Sequence, residues 1–209
     1  ARWVSWLKPE GTLIANTQQI LPMPVITGAA TYPAELADNL GRVCPGAILI
    51  DAGATAECTP EYLLQFAFMG SYYAEHILGR PEPRVGLLNI GSEEGKGTDL
   101  QRQTYALLKA ADAEGRIHFA GNVEAREAVL GAVDVIVCDG YSGNIFLKTL
   151  EGTAIYLSKQ IKGMFKKNPL TKLAALLVSG GLRDFKKLMD SREVGGTPLI
   201  GIAKPVVKA

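Results

Sequence analysis

Residues 84–100, RVGLLNIGSEEGKGTDL, decide the fold class because they contain a complete strand-to-helix transition. Their first part is a short apolar run, which is typical of a strand buried on both faces. This run ends in glycines, two glutamates and a lysine at 91–97. Thr98 and Gln101 then have the spacing of a capping box, which predicts a helix that ends near Gly115.

The same alternation continues on both sides of this segment. Short apolar runs predict strands, and longer patterns predict helices: strands at 46–53, 116–120 and 133–139, and helices at 59–79, near 123–131 and from 143 onward. Thr59 and Pro60 suit the N-cap and first position of the helix at 59–79, whose apolar composition predicts a buried helix. Strands that alternate with helices form βαβ units. We therefore predict an α/β protein with a three-layer α/β/α architecture, in which helices cover both faces of a mostly parallel sheet.

The N-terminal part of the chain has a different character. GTLIANT at 11–17 is a candidate strand, but prolines interrupt the sequence that follows it. We therefore predict that residues 1–45 form a separate segment, with a boundary or linker near 41–46, and that 46–209 form one α/β domain. The last residues, GGTPLIGIAKPVVKA, predict a glycine turn and a β-like tail.

The overall composition is that of a soluble globular protein. The chain has 209 residues, 47% of them hydrophobic and 21% charged, and no apolar run approaches the roughly 18 residues of a membrane span. The start of the chain is too polar for a signal peptide. The three cysteines are odd in number and form no CxxC motif, which argues against a disulfide framework or a zinc site. We expect a reduced, cytoplasmic protein.

The formal net charge of +1 hides a basic region at 159–190. This region has eight Lys or Arg against two Asp, a balance of +6, so the rest of the chain carries about −5. Residues 168–190 resemble two amphipathic helical pieces broken at Gly180 and Gly181. Packing of their apolar side against the same subunit is the commonest role of such a pattern, and a dimer contact or a contact with an anionic membrane surface are the alternatives.

The segments that follow four predicted strands have a similar residue composition. DAGA (51–54), GSEEGKG (91–97), GNVEAR (121–126) and DGYSGN (139–144) each combine glycine with a charged residue or an amide. The carboxyl ends of parallel strands meet at one edge of a sheet. Glycines and helix N-termini there present N–H groups to anions, and Lys96 adds a positive charge. The pattern predicts a phosphate-type anion site.

Other chemistries have weaker support in the sequence. The two histidines, His76 and His118, lie in a predicted helix and strand, where structural roles are commoner. The dinucleotide fingerprint, the nucleotide phosphate loop, the GxSxG elbow and the HExxH motif are missing. Three carboxylates could in principle bind a metal but lack paired ligand spacing: Glu93, Glu94 and Asp139. Without an evident nucleophile, the pattern fits chemistry in which a bound phosphate oxygen itself attacks a thioester carbonyl.

Four long stretches together resemble one known family. They are LIDAGATAECTPEYLLQFAFMGSYYAEHILG, PRVGLLNIGSEEGKGTDL, GNVEAREAVLGAVDVIVCDGYSGNIFLKTLEG and GGTPLIGIAKPVVKA, and they span residues 46–209. In this order they resemble the C-terminal half of the bacterial phosphate acyltransferases of phospholipid synthesis (acyl-ACP:phosphate transacylases, PlsX). The resemblance implies an α/β/α fold like that of phosphotransacetylases and isopropylmalate dehydrogenases, a homodimer, and peripheral membrane association.

The resemblance also implies a reaction and a set of site residues. An acyl group on acyl carrier protein and inorganic phosphate would give acyl phosphate, without a cofactor and without nucleic acid as a partner. Lys96 would bind the phosphate, and Asn144 would contact the reacting carbonyl or the phosphate. The remaining substrate-binding positions would be Gly91, Glu94, Gly95, Asn122, Arg126, Asp139, Gly140 and Gly143.

A second, shorter resemblance leaves two alternatives open. Residues 1–42 resemble part of the β subunit of indolepyruvate ferredoxin oxidoreductase. The chain could therefore be a fragment of a ferredoxin-linked 2-oxoacid oxidoreductase subunit. It could also be a non-catalytic module that keeps the dimer and carrier-protein surfaces without turnover.

Overall fold

The computed structural model describes residues 16–20, 47–76, 78–181, 183, 197–200 and 207–208. Its strands are β1 (Asn16–Ile20), β2 (Ile48–Ile50), β3 (Arg84–Asn89), β4 (His118–Glu124), β5 (Val135–Val137), β6 (Thr197–Ile200) and β7 (Val207–Lys208). Its helices are α1 (Pro60–His76), α2 (Asp99–Ala113), α3 (Ala125–Val129), α4 (Gly140–Phe165) and α5 (Pro169–Leu177).

The described strands form one mixed sheet in the order β4-β3-β5-β2-β1-β6-β7. The four strands at the β4 end are parallel to one another. β1 pairs antiparallel with β2 and with β6, and β6 pairs antiparallel with β7. The four-stranded part of the sheet is parallel as predicted, and β1, β6 and β7 add an antiparallel part. Parallel neighbours require crossover connections, and α1, α2 and α4 follow β2, β3 and β5 as the sequence predicts.

The inner parallel strands β2, β3 and β5 are buried on both faces, whereas the edge strand β4 is partly exposed. On β2, Ile48 and Ile50 belong to one apolar cluster, and Leu49 between them belongs to the other. The first cluster contains the buried apolar side chains of α1 and α2, and the second contains Ala128 of α3 and Leu147 of α4. Successive strand residues point to opposite faces, so helices cover both sides of the sheet. This confirms the predicted three-layer α/β/α fold.

Helix boundaries follow local sequence signals. α2 begins after Thr98, whose backbone N–H donates to Gln101 Oε1 over 3.1 Å, and it ends just before Gly115. α1 begins at Pro60 and packs so closely on the sheet that a Cβ on Gly70 would overlap the Val135 side chain. These capping and breaking residues were the signals used for prediction, and the structure confirms them.

Two predicted exit loops are part of regular elements instead. GNVEAR was predicted to follow a strand, but β4 continues through Glu124 and passes directly into α3. A bulge opposite Val85 and Gly86 shifts the register, and Gly121 adopts a φ of +97° that glycine tolerates. DGYSGN was predicted as a loop, but Asp139 is the N-cap of α4 and the following residues are its first turn.

Three other expectations also need correction. The N-terminal strand is Asn16–Ile20, later than the predicted 11–17, whose first residues lie outside the described ranges. The break after α5 falls at Val178, whereas Gly180 and Gly181 are helical. The predicted packing of the apolar side of α5 is not found in the described part of the chain: four of its leucines are largely exposed, Leu170, Leu173, Leu176 and Leu177. The predicted boundary at 41–46 lies outside the described residues.

None of the helices in the described ranges combines the length and the apolar character needed to cross a membrane.

Candidate active site at the carboxyl edge of the sheet

Four parallel strands end at one level of the sheet. Val137 on β5 pairs with both Leu87 on β3 and Ile50 on β2, and Asn89 on β3 pairs with Glu124 at the end of β4. Neighbouring strands lie about 4.8 Å apart, so the four exits lie within roughly 15 Å of one another. The segments that leave the strands can therefore line one shared cleft.

The segment after β2, residues 51–55, is here named the buried turn after its two buried residues, Asp51 and Ala52; Gly53 and Ala54 at its tip are exposed. The Asp51 side chain is fully buried. Its Oδ1 accepts hydrogen bonds from the backbone N–H groups of Gly53 (2.9 Å) and Ala54 (3.0 Å), and its Oδ2 accepts one from Thr55 (2.7 Å). Backbone donors thus compensate for the loss of water around this carboxylate.

The buried turn holds the start of α4. The Gly140 N–H donates to the Thr55 carbonyl oxygen over 2.9 Å, and Asn144 Nδ2 donates to the Ala52 carbonyl oxygen over 3.1 Å. Asp139 caps the helix, since its Oδ1 accepts from the Ser142 N–H and its Oδ2 from the Ser142 hydroxyl, both at 2.8 Å. Asn144 is exposed, so its amide is accessible to a ligand.

Glycines permit this close approach. A Cβ at position 143 would overlap the Asp51 carbonyl oxygen and would lie 2.8 Å from Cys138 Sγ. A Cβ at position 140 would lie 2.6 Å from the Thr55 carbonyl oxygen and 2.8 Å from Asp51 Oδ2. Gly140 and Gly143 were predicted as substrate-binding residues, and the structure gives both a packing role.

Residues 91–97, here named the lysine loop, lie over β3 and β4. Asn89 Nδ2 donates to the Lys96 carbonyl oxygen over 3.1 Å, and Asn122 Nδ2 donates to the Glu93 carbonyl oxygen over 2.8 Å. Inside the loop, the Lys96 N–H donates to the Glu93 carbonyl oxygen over 3.1 Å. Two asparagines from the strands therefore hold the loop at two points, Glu93 and Lys96.

The Lys96 side chain leaves this loop beside Gly91. A Cβ at position 91 would lie 3.1 Å from Lys96 Cγ and 2.8 Å from Glu93 Oε2, so glycine makes room for both side chains. Lys96 itself is exposed. Within the described ranges, the lysines paired with a carboxylate are Lys109 and Lys148. The ammonium group of Lys96 is thus available to an anion.

Three predicted site residues lie outside these two groups of contacts. Glu94 pairs with Lys109 on α2 at 2.9 Å, and this carboxylate raises the pKa of Lys109 above its ordinary value. Gly95 is exposed, and a Cβ there would meet nothing within 4 Å. Arg126 is 77% exposed, with the Glu127 carboxylate 3.8 Å away. Their substrate contacts stay predictions.

The two described cysteines beside the buried turn favour the protonated thiol. Burial raises the pKa of Cys58 to about 11, and the nearby charges of Asp51 and Asp139 act in the same direction. Burial also raises the pKa of Cys138 well above its ordinary value. A thiol needs a lowered pKa to act as a nucleophile near neutral pH. These side chains therefore do not offer an activated cysteine.

The described residues form no group of three or more His, Cys, Asp or Glu side chains that could hold a metal ion. Among the described side chains at the carboxyl edge, the exposed hydrogen-bond donors include the Asn144 amide and the Lys96 ammonium group, with the Glu93 and Glu94 carboxylates in the same loop as Lys96. Such donors suit an anion and a developing negative charge on oxygen.

Sequence reasoning missed Asp51 and Asn89 as site residues. An aspartate after a buried strand and two residues before glycine is the pattern of an Asx turn, in which the carboxylate accepts from a backbone N–H two residues later. That signal was present in DAG and could have identified Asp51. Asn89 had no such local signal, because its partner is the Lys96 carbonyl oxygen on the far side of the loop.

Comparison with known proteins gives a consistent family assignment. The family model described as "Fatty acid synthesis protein" matches residues 36–209. A protein named phosphate acyltransferase from Thermoanaerobacterium thermosaccharolyticum is 46% identical over 174 residues, which cover 83% of this chain and 51% of the relative. A protein of the same name from Alkaliphilus oremlandii is 50% identical over 162 residues, which cover 78% of this chain and 47% of the relative. Another from Aquifex aeolicus is 49% identical over 160 residues, which cover 77% of this chain and 46% of the relative.

The chain spans about half the length of the curated relatives it matches. These matches give no support to the predicted resemblance of residues 1–42 to a ferredoxin oxidoreductase subunit. Among solved structures, a EutD phosphotransacetylase from Staphylococcus aureus is similar with a TM-score of 0.48 and 17% identity, and the match covers 70% of this chain and 44% of that chain.

Proposed function

We propose, because this chain belongs to the fatty acid synthesis protein family, that it transfers a fatty acyl group from acyl carrier protein to inorganic phosphate and so makes acyl phosphate for phospholipid synthesis. The observation that carries the proposal is the 46–50% identity to proteins named phosphate acyltransferase across about four fifths of this chain. The edge described above lies entirely within the matched region.

The chemistry of this reaction suits a site without a protein nucleophile. A phosphate oxygen attacks the thioester carbonyl carbon, a C–O bond forms, the C–S bond breaks, and the carrier thiolate leaves and takes a proton. The protein has to hold the phosphate, orient the thioester and stabilise the oxyanion that develops. The raised thiol pKa values of Cys58 and Cys138 are consistent with direct transfer to phosphate rather than with an acyl-enzyme.

The two candidate catalytic residues have complementary roles in this proposal. Lys96 binds the phosphate, because it presents a positive charge from a loop that two asparagine side chains hold in place. Asn144 contributes its second Nδ2 hydrogen to the carbonyl oxygen as negative charge develops there, since the first is given to Ala52. Gly91, Asn122, Asp139, Gly140 and Gly143 shape the cleft around these two groups.

The C-terminal helices supply a surface for larger partners. The exposed leucines of α5 follow a lysine-rich stretch of the chain, in which these exposed lysines lie in α4, between the two helices and in α5: Lys159, Lys162, Lys166, Lys167 and Lys172. A basic surface attracts an acidic carrier protein and the anionic face of a membrane, and apolar side chains add burial on contact. In this proposal the protein is a cytoplasmic homodimer that associates peripherally with membranes through residues 159–190.

The test is direct. The purified chain is incubated with acyl-ACP and phosphate, and acyl phosphate is trapped with hydroxylamine while released carrier thiol is titrated in parallel. Equal, phosphate-dependent yields of hydroxamate and thiol are expected. A folded sample that binds acyl-ACP but gives neither product would instead identify a binding module, and thiol release without phosphate would indicate simple hydrolysis.

A further inference from the structure

Asp51 is a fully buried carboxylate at the carboxyl edge to which the proposed chemistry gives no role. Its two oxygens accept from three consecutive backbone N–H groups at distances between 2.7 and 3.0 Å. Charge-assisted hydrogen bonds of this kind are stronger than neutral ones, particularly away from water. The carboxylate therefore fixes the backbone of the buried turn.

The buried turn in turn fixes one functional side chain. The Ala52 carbonyl oxygen, at the first residue after Asp51, accepts from Asn144 Nδ2 over 3.1 Å. Gly53 has a φ of +129°, and a Cβ there would lie 2.7 Å from Asn144 Nδ2. The Asn144 amide thus packs against backbone that has no side chain in the way.

The contact also determines the orientation of the amide. A carbonyl oxygen can only accept a hydrogen bond, so Asn144 must direct its NH₂ group toward Ala52. The second hydrogen of this group and Oδ1 are left for a ligand. If the buried turn moved, the exposed amide could rotate and present its oxygen where the reaction needs a donor.

We propose that Asp51 is a positioning residue for acyl transfer: by holding the buried turn through its three backbone hydrogen bonds, it orients the Asn144 amide toward the reacting carbonyl. This inference rests on the proposed function. Asp51 acts through Asn144 and does not itself touch the substrate.

A double-mutant cycle tests the dependence on Asn144. Asp51→Asn keeps the side-chain shape but replaces one acceptor oxygen by an NH₂ group that faces a backbone N–H. We expect kcat to fall about 30-fold with the KM for phosphate changed less than threefold. The reason is that the Asn144 amide contacts the carbonyl oxygen most strongly when negative charge develops on it in the transition state. In an Asn144→Ala background, Asp51→Asn should cause less than a twofold further loss. Equal losses in both backgrounds would overturn the proposal.

Asp134→Asn is the matched control. Asp134 is a largely buried carboxylate at the opposite edge of the sheet, where it pairs with Arg80 and Arg84 at 3.0 Å. Its replacement should lower the urea midpoint while leaving kcat unchanged. If Asp134→Asn lowers kcat as much as Asp51→Asn at a matched loss of stability, the effect of Asp51 is only structural and the proposal fails.

A second readout does not need turnover. In ¹⁵N-labelled protein, the Asn144 side-chain proton that donates to Ala52 should be shifted downfield of its position in a solvated asparagine. Asp51→Asn should return this signal toward the ordinary position, and Asp134→Asn should leave it in place. Gly53→Ala, which alters the buried turn while keeping Asp51, should have the same effect and serves if Asp51→Asn does not fold. Unchanged Asn144 signals in these variants would overturn the inference. A wild-type protein that makes no acyl phosphate but shows these signal changes would refute only the proposed function.

Discussion

The buried turn and the lysine loop lie at the same edge of the sheet but are built in opposite ways. The buried turn surrounds a carboxylate with no solvent exposure and packs against the first turn of α4. The lysine loop is largely exposed, and two asparagine amides from the strands below hold it. The first arrangement gives a fixed donor, and the second presents a charge on a flexible side chain. Substitutions in the two regions should therefore affect different properties.

The largest effect is expected from filling the space between the buried turn and α4. Gly143→Ala would place a methyl group onto the Asp51 carbonyl oxygen and against Cys138 Sγ, with backbone on one side that cannot move away. We expect a loss of about 3 kcal/mol or more in the free energy of unfolding, measured by urea denaturation. Gly152→Ala in the same helix meets nothing within 4 Å and should stabilise the protein by about 0.5–1 kcal/mol. A similar small effect at both positions would contradict the tight packing.

The lysine loop should show the reverse pattern, with activity lost and stability retained. Lys96→Ala removes an exposed charge that pairs with no described carboxylate, so the urea midpoint should hardly change. We expect kcat/KM for phosphate to fall about 100-fold, or about 2.7 kcal/mol of transition-state stabilisation. The control is Lys148→Ala, which removes the same charge from an exposed pair on α4. Equal activity in the two variants would remove Lys96 from the proposed phosphate site.

The sequence predicted the framework of both regions better than their details. Alternating apolar runs identified β2, β3 and β5 and the helices after them, because two-sided burial makes a strand visibly apolar. The prediction of an exit loop at Gly121 was wrong because Gly121 and Asn122 resemble loop residues in the sequence. The bulge that accommodates them within β4 depends on pairing with β3. The role of Asp51 depends on Asn144, which lies far along the chain. Local patterns contain no information on such contacts.

The contacts that hold the lysine loop should contribute to stability and phosphate binding according to how buried they are. Asn122 is 9% exposed and donates to the Glu93 carbonyl oxygen, so Asn122→Ala should cost about 1 kcal/mol of stability and raise the KM for phosphate several-fold. The Lys109–Glu94 pair also supports the loop, but both side chains are 61% exposed. Water and salt weaken such a pair, and Lys109→Ala should change both quantities little. Comparable effects of the two variants would mean that burial does not rank these contacts.

The smallest expected effect concerns the pH dependence of stability near the buried turn. Burial first, and then the charges of Asp51 and Asp139, raise the pKa of Cys58 to about 11. Between the ordinary thiol pKa and this value, the unfolded chain has lost the Cys58 proton while the folded chain still holds it, so rising pH favours unfolding. Stability should be unaffected below about pH 8 and should decline from about pH 9 to 11.

The Cys58→Ala variant tests this expectation, because its urea midpoint should fall less steeply with pH over this range than that of the unmodified protein. Cys138 should contribute similarly in both proteins, since its pKa is also raised. Because lysine and tyrosine titration is common to the two proteins, only the difference between their slopes reports on Cys58. Parallel slopes would show that this thiol is better hydrated than its place beside the buried turn implies, and the contrast with the exposed lysine loop would then be weaker.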